Sequence, residues 1–557
     1  MKKVASKNNL IKLFLSFYAL LQIYFSKIGG VTYDELGYRF GSKTIIQTLQ
    51  AILKFDFTLA KSYYSDLEYY GQLLLTPSYL FSHFMSTYVI KELDYSFVSF
   101  YSYDDKFYFF SHFFLIIYTS LLLYFIYILI KSQRNEQFAF LFISFLVLVP
   151  IFNGHSLFNL KDIPFALHFF IALLFIDKHS FLFKNSLPIE NKKIIYFGII
   201  FGALFNIRIN AIPFIGLFIL FYLPEIVKKN KLKDFFLSYF KIGSVSFFFL
   251  VLLTPSMWIE PISWLKLAIQ NQFLLPWPGS TLVNGEFVVA TEMTYSYLIT
   301  FFFYKLPLNF IVLILVYVGL LITRKNVSNF SQKCLTLLVV INLLFIIFKP
   351  TAYDGVRQYL FLVLPMTYIF TETILYLKNK KNILNFVIVL NIFYLISTQI
   401  SLAPYNYVYF NELVEENSIS LSCENYDGCG NWSTDYWGYS GKNLADYINN
   451  NLEEGFLLVC RPDVSILPYL DDDTTNFVYN ATVDKLSATK LNYTTTDTTV
   501  LKDLKVETFY VASFHRPRLN ENSCLLETIL NCEDIYIEQT TLRNVKVNLS
   551  YLKKCSF

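Results

Sequence analysis

An adjacent pair of acids, Asp34 and Glu35, follows the first apolar run in the segment 29-GGVTYDELGYRFGSK-43. At the end of an apolar helix, such a pair is most often simply solvated. Here tyrosines flank the pair, and it opens a long loop, 29–106, that contains further aromatic and apolar stretches. If this loop lies along the membrane interface, it covers the pair, and partial burial tunes the pKa of a carboxylate for general-base chemistry. We therefore expect a catalytic acid here.

A second polar segment, 153-NGHSLFNLKDIPFA-166, separates two apolar runs. Asp162 and Pro164 are equally typical of an ordinary helix start. That interpretation does not account for His155, Asn159 and Lys161. The carboxylate of Asp162 is a candidate second acid or metal ligand, and Lys161 is a candidate phosphate contact.

Two arginines lie at the boundaries of apolar runs. Arg208 interrupts the nearly continuous apolar stretch FNIRINAIPF. An arginine within a membrane span costs about 2.5–3.5 kcal/mol on insertion scales, so it either snorkels to the surface or has a function. Arg357 follows Asp354 by three residues in 353-YDGVRQYLF-361, where the two either pair with each other or bind phosphate or sugar. An anionic ligand at the membrane surface suits both arginines.

The composition predicts a polytopic membrane protein. Of the 557 residues, 55% are hydrophobic, 19% are aromatic and 16% are charged, whereas soluble domains are roughly 45–50% apolar. The net charge of +4 is small and dispersed, so no nucleic-acid partner is expected. The sequence contains no P-loop, no GxGxxG after a strand, no HExxH and no GxSxG in a suitable context, which disfavours ATP-driven transport and hydrolase chemistry.

About eleven transmembrane helices are predicted, because a span needs about 20 apolar residues. They are 9–28, 107–130, 138–153, 163–177, 194–208, 210–223, 238–257, 297–322, 333–348, 358–377 and 382–402. With the basic N-terminus in the cytoplasm and the first helix uncleaved, every interior turn is basic, as the positive-inside rule requires. All the candidate site residues then lie on the non-cytoplasmic face.

The C-terminal part of the chain, 403–557, is more polar than the rest. Alternating stretches such as EGFLLVCRP and VETFYVASF are typical of strands. We therefore divide the chain into a transmembrane domain, 1–402, with the extracytoplasmic loop 29–106, and an extracytoplasmic mixed α/β domain, 403–557.

Six of the seven cysteines lie in this C-terminal domain. An even set in a polar segment favours disulfides in an oxidising compartment, and a zinc site is disfavoured because no C-x-x-C pair occurs. The expected local pairs are Cys423 with Cys429 and Cys524 with Cys532.

Eight segments, taken in order over about residues 30–446, resemble one family. They are YDELGY, DLEYYG, GHSLFNLKDIPFA, RINAIPF, WPGSTLVNGEF, YDGVRQYLF, APYNYVYFNEL and TDYWGYSGKNLADYI. The series resembles the bacterial membrane glycosyltransferases related to protein O-mannosyltransferases and the lipid A aminoarabinose transferase, the multi-spanning GT-C class. The resemblance implies transfer of a sugar from a polyprenyl-phosphate carrier to a hydroxyl acceptor on protein, lipid or glycan.

The resemblance also implies roles for individual residues. Asp34 matches the general base, with Glu35 beside it, and Asp162 matches a second acidic position that helps to bind a metal in some members. A divalent metal ion therefore stays open as a cofactor, with Asp162 as the candidate ligand. The positions implied to bind substrate are His155, Lys161, Arg208, Tyr353, Asp354 and Arg357. The implied location is a bacterial inner membrane, with the site on the periplasmic or extracellular side.

Two alternatives stay open. A glycan polymerase or ligase that uses a diphosphate-linked oligosaccharide would share the same surface chemistry. A secondary transporter would also place charges at helix breaks, although usually near mid-membrane and in repeated halves. In this sequence the charges gather on one face and no repeat is visible, which favours the transferase.

Overall fold

The computed structural model is mainly helical, with a mixed sheet near the C-terminus. It describes residues 2–63, 69–90, 105–179, 189–273, 279–325, 327–378, 383–415, 431–452, 456–460, 465–470, 476–477, 493–495, 507–514 and 531–556.

The α-helices of the first half are α1 (Lys2–Ile28), α2 (Tyr33–Leu53), α3 (Phe57–Ser62), α4 (Gln72–Phe84), α5 (Asp105–Gln133), α6 (Glu136–Val147), α7 (Pro150–His155), α8 (Asp162–Lys178), α9 (Asn191–Ile207), α10 (Ala211–Leu220), α11 (Leu223–Lys228) and α12 (Leu232–Leu252). Those of the second half are α13 (Pro261–Phe273), α14 (Tyr297–Lys305), α15 (Leu308–Ile322), α16 (Asn329–Phe348), α17 (Val363–Lys378), α18 (Ile383–Leu402) and α19 (Gly441–Asn451).

Five helical segments among the described residues are long and apolar enough to cross a membrane. They are Asn9–Ile28, Lys106–Gln133, Leu232–Leu252, Asn329–Phe348 and Arg357–Leu377. A sixth span results if α14 and α15, which are bent by 115° relative to each other, count as one. The chain is thus a multi-pass α-helical membrane protein. The other predicted spans coincide with shorter or broken apolar helices or, for 382–402, with the 20-residue α18. Among the described residues, fewer than eleven pass this test of length and composition.

Local sequence explains where two predicted spans break. Pro307 separates α14 from α15, since proline lacks the N–H that a continuous helix needs. Pro150 begins α7, which splits the predicted span 138–153 into α6 and α7. At the other end of α6, the Asn135 side chain accepts a hydrogen bond from Phe138 N at 2.8 Å and fixes the helix start.

The described part of the predicted interfacial loop 29–106 is largely helical, as α2, α3 and α4. Helix α4 packs against both α2 and α5. In one of these contacts, Ser78 Oγ of α4 lies 3.1 Å from Ser111 Oγ of α5. The acid pair Asp34–Glu35 therefore lies in the first turn of a helix and not in an irregular loop.

The C-terminal domain contains a six-stranded sheet in the order β4-β5-β3-β6-β8-β7. Its strands are β3 (Phe456–Val459), β4 (Asn476–Phe477), β5 (Tyr493–Thr495), β6 (Thr508–Phe514), β7 (Asn531–Leu542) and β8 (Val545–Ser556), and a separate hairpin pairs β1 (Ser280–Val283) with β2 (Glu286–Val289). Strand β3 is parallel to β5 and β6, whereas β8 is antiparallel to β6 and β7. The prediction of a mixed α/β domain is confirmed, with β3 and β6 at the two expected strands.

The predicted pairing of Cys524 with Cys532 is wrong. Cys532 forms a disulfide with Cys555, and the two Cα atoms are 4.1 Å apart. The reason is strand register, because antiparallel pairing of β7 with β8 places these two residues directly opposite each other. Cys423, Cys429 and Cys524 lie outside the described residues.

Part of the C-terminal chain shares the apolar core of the membrane helices. Tyr407, Phe410, Trp432 and Trp437 are all buried in the same cluster as the membrane-helix side chains. The sheet has a separate core, formed with α19 through residues such as Leu444. Leu542, Val547 and Leu549 of the sheet belong to the membrane-helix cluster too. Both the segment that follows the last membrane helix and strands β7 and β8 therefore pack directly on the transmembrane part.

Candidate functional site

The first turn of α2 is fixed by Glu35. Its carboxylate accepts hydrogen bonds from Thr32 N at 2.7 Å and Thr32 Oγ1 at 2.8 Å, which is one half of a capping box. Its other oxygen lies 2.6 Å from His112 Nε2 of α5. Glu35 and His112 are both buried. This acid is fully engaged in holding the helix start and its neighbour Asp34 in place.

Asp34 is the more accessible acid of the pair, with 20% of its side chain exposed. Arg357 Nη1 donates to Asp34 Oδ2 at 2.5 Å, and the Tyr38 hydroxyl donates to the same oxygen at 3.3 Å. Burial raises the pKa of the Tyr38 phenol well above its ordinary value, and the carboxylates of Asp34 and Asp162 raise it further. Tyr38 therefore stays protonated and serves as a donor.

Arg357 reaches Asp34 because the preceding loop turns sharply. Asp354 and Gly355 both have positive φ, 55° and 71°, a conformation that glycine adopts without strain. Arg357 Nη2 lies 3.5 Å from Asp354 Oδ2, as the three-residue spacing predicts. Its guanidinium also lies 4.7 Å from the ring centroids of Tyr353 and Trp437. Two acids and two aromatic rings thus hold one buried cation.

The second acid, Asp162, forms a buried ion pair with Arg208, in which Arg208 Nη2 donates to Asp162 Oδ1. Asn159 builds the turn before α8, since its Oδ1 accepts from Asp162 N at 2.8 Å and from Lys161 N at 3.2 Å. The Asn159 amide also donates to Asp162 Oδ2 at 3.0 Å. Among the described residues, the Nε atoms of Arg208 and Arg357 are both buried without a hydrogen-bond partner.

Lys161 is partly buried between aromatic rings. Its Nζ lies 4.7 Å from the ring centroid of Tyr70 and 5.4 Å from that of Tyr38. Burial lowers the pKa of the Lys161 ammonium to about 8, and Arg208 lowers it as well, while Asp162 opposes the shift. Within the part of the chain that the structure describes, no carboxylate lies within ion-pair distance of Lys161. Aromatic rings therefore surround the Lys161 ammonium, and no carboxylate of the described residues pairs with it.

His155 borders this cluster and is buried. Its Nδ1 is 3.3 Å from Asn159 Nδ2, and its Nε2 is 3.2 Å from the Tyr436 hydroxyl. The Trp437 ring packs against it edge-on, with centroids 5.3 Å apart. Burial lowers the pKa of the imidazole to about 3, so His155 stays neutral. Its ring packs against the turn that Asn159 forms.

The C-terminal segment around Tyr436 and Trp437 completes the site, and sequence reasoning gave these two residues no role. Trp437 O accepts from Tyr33 N at 3.0 Å, so the segment also holds the start of α2. Asp435 fixes the turn itself, because its carboxylate accepts from Tyr439 N at 2.9 Å and from Ser440 Oγ at 2.6 Å. In the sequence, Tyr436 and Trp437 are marked only by the motif TDYWGYSG, which is part of one of the eight segments that resemble the family.

The donor set around Asp162 does not suit a divalent metal ion. Both carboxylate oxygens already accept hydrogen bonds, one from Arg208 and one from Asn159. A metal ion would have to displace the guanidinium and tolerate its charge. Across the described ranges, no group of three or more His, Cys, Asp or Glu side chains has the arrangement of a metal site.

The structure brings most of the predicted site residues together. Asp34, Asp162, Lys161, Arg208 and Arg357 form one charged cluster, in which each arginine pairs with an acid. Tyr353 and Asp354 join it through Arg357. His155 and Glu35 border it as buried supports. The cluster lies where α2, α8 and α9 begin or end beside apolar helices.

No known protein family and no curated protein matches this sequence. Among solved structures, the chain is similar to the crystal structure of ArnT from Cupriavidus metallidurans bound to undecaprenyl phosphate. The two are 9% identical, with a TM-score of 0.48, and the similarity covers 97% of this chain and 98% of that chain. At this identity, function has to be argued from the site itself.

Proposed function

We propose that the protein is a membrane glycosyltransferase of the GT-C type that transfers a sugar from a polyprenyl-phosphate carrier to a hydroxyl acceptor. The observation that carries the proposal is the cluster of three cations, Lys161, Arg208 and Arg357, beside the partly exposed carboxylate of Asp34. A lipid-linked sugar keeps its isoprenoid chain among apolar helices and its phosphate at the membrane surface. A base for such a donor must lie at a helix end, as Asp34 does.

The cations can contact a single phosphodiester. Arg208 pairs with one acid, Asp162, whereas Arg357 lies against two, Asp34 and Asp354. Lys161, which faces aromatic rings, supplies a positive charge for the ligand. The unpartnered Nε atoms of both arginines offer further donors, and charge-assisted hydrogen bonds of this kind are among the stronger ones in proteins.

In the proposed reaction, the acceptor hydroxyl oxygen attacks the anomeric carbon of the sugar. The bond from that carbon to the phosphate oxygen breaks, and its electron pair stays on the polyprenyl phosphate. Asp34 takes the proton of the hydroxyl as general base. Arg208, Arg357 and Lys161 stabilise the charge that develops on the leaving phosphate. One displacement at the anomeric carbon inverts its configuration.

Donor binding would also release the base. In the structure, Arg357 donates to Asp34. A phosphate that accepts from Arg357 competes with this hydrogen bond and leaves Asp34 Oδ2 available to the acceptor. Proton transfer would therefore be set up only after the donor is in place.

The other two acids have supporting roles in this proposal. Glu35 is buried and holds the first turn of α2 together with His112. Asp162 is buried and orients Arg208. Of the three acids expected to be catalytic, we assign only Asp34 to the chemical step, and Glu35 and Asp162 act through their neighbours. The site is proposed to face the periplasmic or extracellular side of a bacterial inner membrane.

The test separates donor binding from transfer. Asp34→Asn should bind a short-chain polyprenyl-phosphate sugar about as tightly as the wild type and should fail to turn it over. Arg208→Ala should weaken donor binding. Asp56→Asn is the matched control, because Asp56 is an exposed acid that caps α3. Wild-type turnover by Asp34→Asn would remove Asp34 as the base, and unchanged donor affinity in Arg208→Ala would remove the phosphate contact.

A further inference from the structure

A cavity of about 330 Å³ is lined by His112, the residue that contacts Glu35. Three lysines line it: Lys27 at the end of α1, Lys106 at the start of α5, and Lys442 in α19. Lys442 Nζ donates to Lys27 O at 2.7 Å, which holds the two basic residues side by side. The lysines give the cavity a strongly positive rim.

The wall of the cavity is largely apolar. Phe109 and Phe110 of α5 line one side, and Ile90 and Tyr469 line the others. A small hydrophilic anion would gain nothing from these rings and this aliphatic side chain. A ligand that has both a negative group and an apolar part matches the rim and the wall together.

His112 supplies an independent sign of a ligand. Its side chain lines the cavity and is buried, with a relative exposure of 2%. Its Nε2 contacts Glu35, whereas its Nδ1 has no hydrogen-bond partner among the described residues. A buried polar atom without a partner is costly, and few occur in native structures. With Nε2–H donating to Glu35, Nδ1 carries a proton only in the imidazolium form, and in that form it would donate a hydrogen bond to an anionic oxygen in the cavity.

The cavity lies at the ends of two membrane spans, α1 and α5, that pack against each other. Along α1, a row of exposed apolar side chains leads towards Lys27. They are Leu13, Phe17, Leu20 and Tyr24, spaced three or four residues apart and therefore on one face of the helix. An acyl chain could lie along this row while its headgroup enters the cavity.

We propose that the cavity binds the phosphate headgroup of an anionic bilayer lipid, with an acyl chain along the exposed face of α1. This site is distinct from the cluster proposed to hold the sugar donor, since none of the described residues that line the cavity belongs to that cluster. Bound lipid would contact the same histidine that holds the first turn of α2. The lipid therefore stabilises the helix start that carries Asp34.

The experiment is native mass spectrometry of the full-length protein in detergent, with added phosphatidylglycerol or phosphatidylcholine. Wild type should bind one phosphatidylglycerol more tightly than phosphatidylcholine. Lys27→Gln and Lys442→Gln should each weaken phosphatidylglycerol binding about fivefold, from about 1 kcal/mol per basic residue near an anionic surface. Lys27→Arg, which keeps the charge, should bind as the wild type does.

Lys54→Gln is the matched control, because Lys54 is an exposed lysine at the far end of α2. It should leave lipid binding unchanged. Equal binding of the two lipids, or wild-type affinity in both glutamine variants, would overturn the proposal. Displacement of the lipid by an equal concentration of inorganic phosphate would show that the site takes a free anion, which would also overturn it. None of these results depends on sugar transfer.

Discussion

Donor binding should weaken as the pH rises through the pKa of Lys161. Burial, together with Arg208, lowers this pKa from the ordinary 10.5 to about 8, while Asp162 and Asp34 oppose the shift. The ammonium therefore predominates below pH 8 and is lost above it. A sugar phosphodiester stays singly charged between pH 7 and pH 9, so a change of donor affinity in this range comes from the protein. The pKa of Lys161 lies within this range.

The size of the effect follows from the fraction of charged lysine. If binding requires the ammonium, the Kd scales with one plus the ratio of neutral to charged lysine. With a pKa of about 8, that factor rises about tenfold between pH 7 and pH 9. Most of the rise falls above pH 8, because below this value most of the lysine is already charged.

The assay is a titration of a short-chain polyprenyl-phosphate sugar into the purified protein in detergent, at pH 7, 8 and 9. Lys161→Arg is the control, since arginine keeps its charge throughout this range. The wild-type Kd should rise about tenfold across these two pH units, and the variant Kd should stay flat. A wild-type Kd that does not change, or an equal rise in Lys161→Arg, would refute the role of Lys161 as a phosphate contact.

Three further predictions concern stability. Arg208→Ala leaves Asp162 buried without its cation, which typically costs about 3–5 kcal/mol of folding stability. The thermal unfolding temperature should therefore fall clearly, and an unchanged temperature would contradict a stabilising ion pair. Gly154→Ala should lower the folded fraction on size-exclusion chromatography, because the added Cβ would clash with the backbone at Tyr407 N. Gly243→Ala is the control and should leave the folded fraction unchanged, because no atom lies within 4 Å of its Cβ. Non-reducing peptide mapping should recover Cys532 linked to its β8 partner across a separation of 23 residues, and loss of this bond should cost about 3 kcal/mol.

Much of the site could be predicted because charges are rare in this sequence. Asp34, Arg208 and Arg357 stand out against long apolar runs, and a charge next to such a run is costly unless it is paired or functional. The structure brings all three into one cluster. The positions of the apolar helices were likewise visible from hydrophobic length, and the breaks at Pro150 and Pro307 follow from proline chemistry.

The different roles of the neighbouring acids Asp34 and Glu35 were harder to predict. Thr32 and Glu35 have the spacing of a capping box, so the sequence held a signal that Glu35 fixes a helix start. Nothing local shows that His112, 77 residues away, completes its contacts.

Long-range contacts account for the remaining gaps. Tyr436 lies 281 residues from His155 in the sequence and 3.2 Å from it in space. The same limit applies to the disulfide of Cys532, since strand register and not proximity in the sequence selects its partner. Such pairings depend on the complete fold, which local patterns do not encode.

The central claim is that Asp34 activates an acceptor hydroxyl against a polyprenyl-phosphate sugar. The most direct measurement is the release of polyprenyl phosphate from a panel of short-chain donors by wild type and by Asp34→Asn, with a hydroxyl acceptor supplied. Only the wild type should release polyprenyl phosphate, with one glycosylated acceptor for each polyprenyl phosphate. Failure of the wild type to bind any lipid-linked sugar, whether monophosphate or diphosphate, would contradict it.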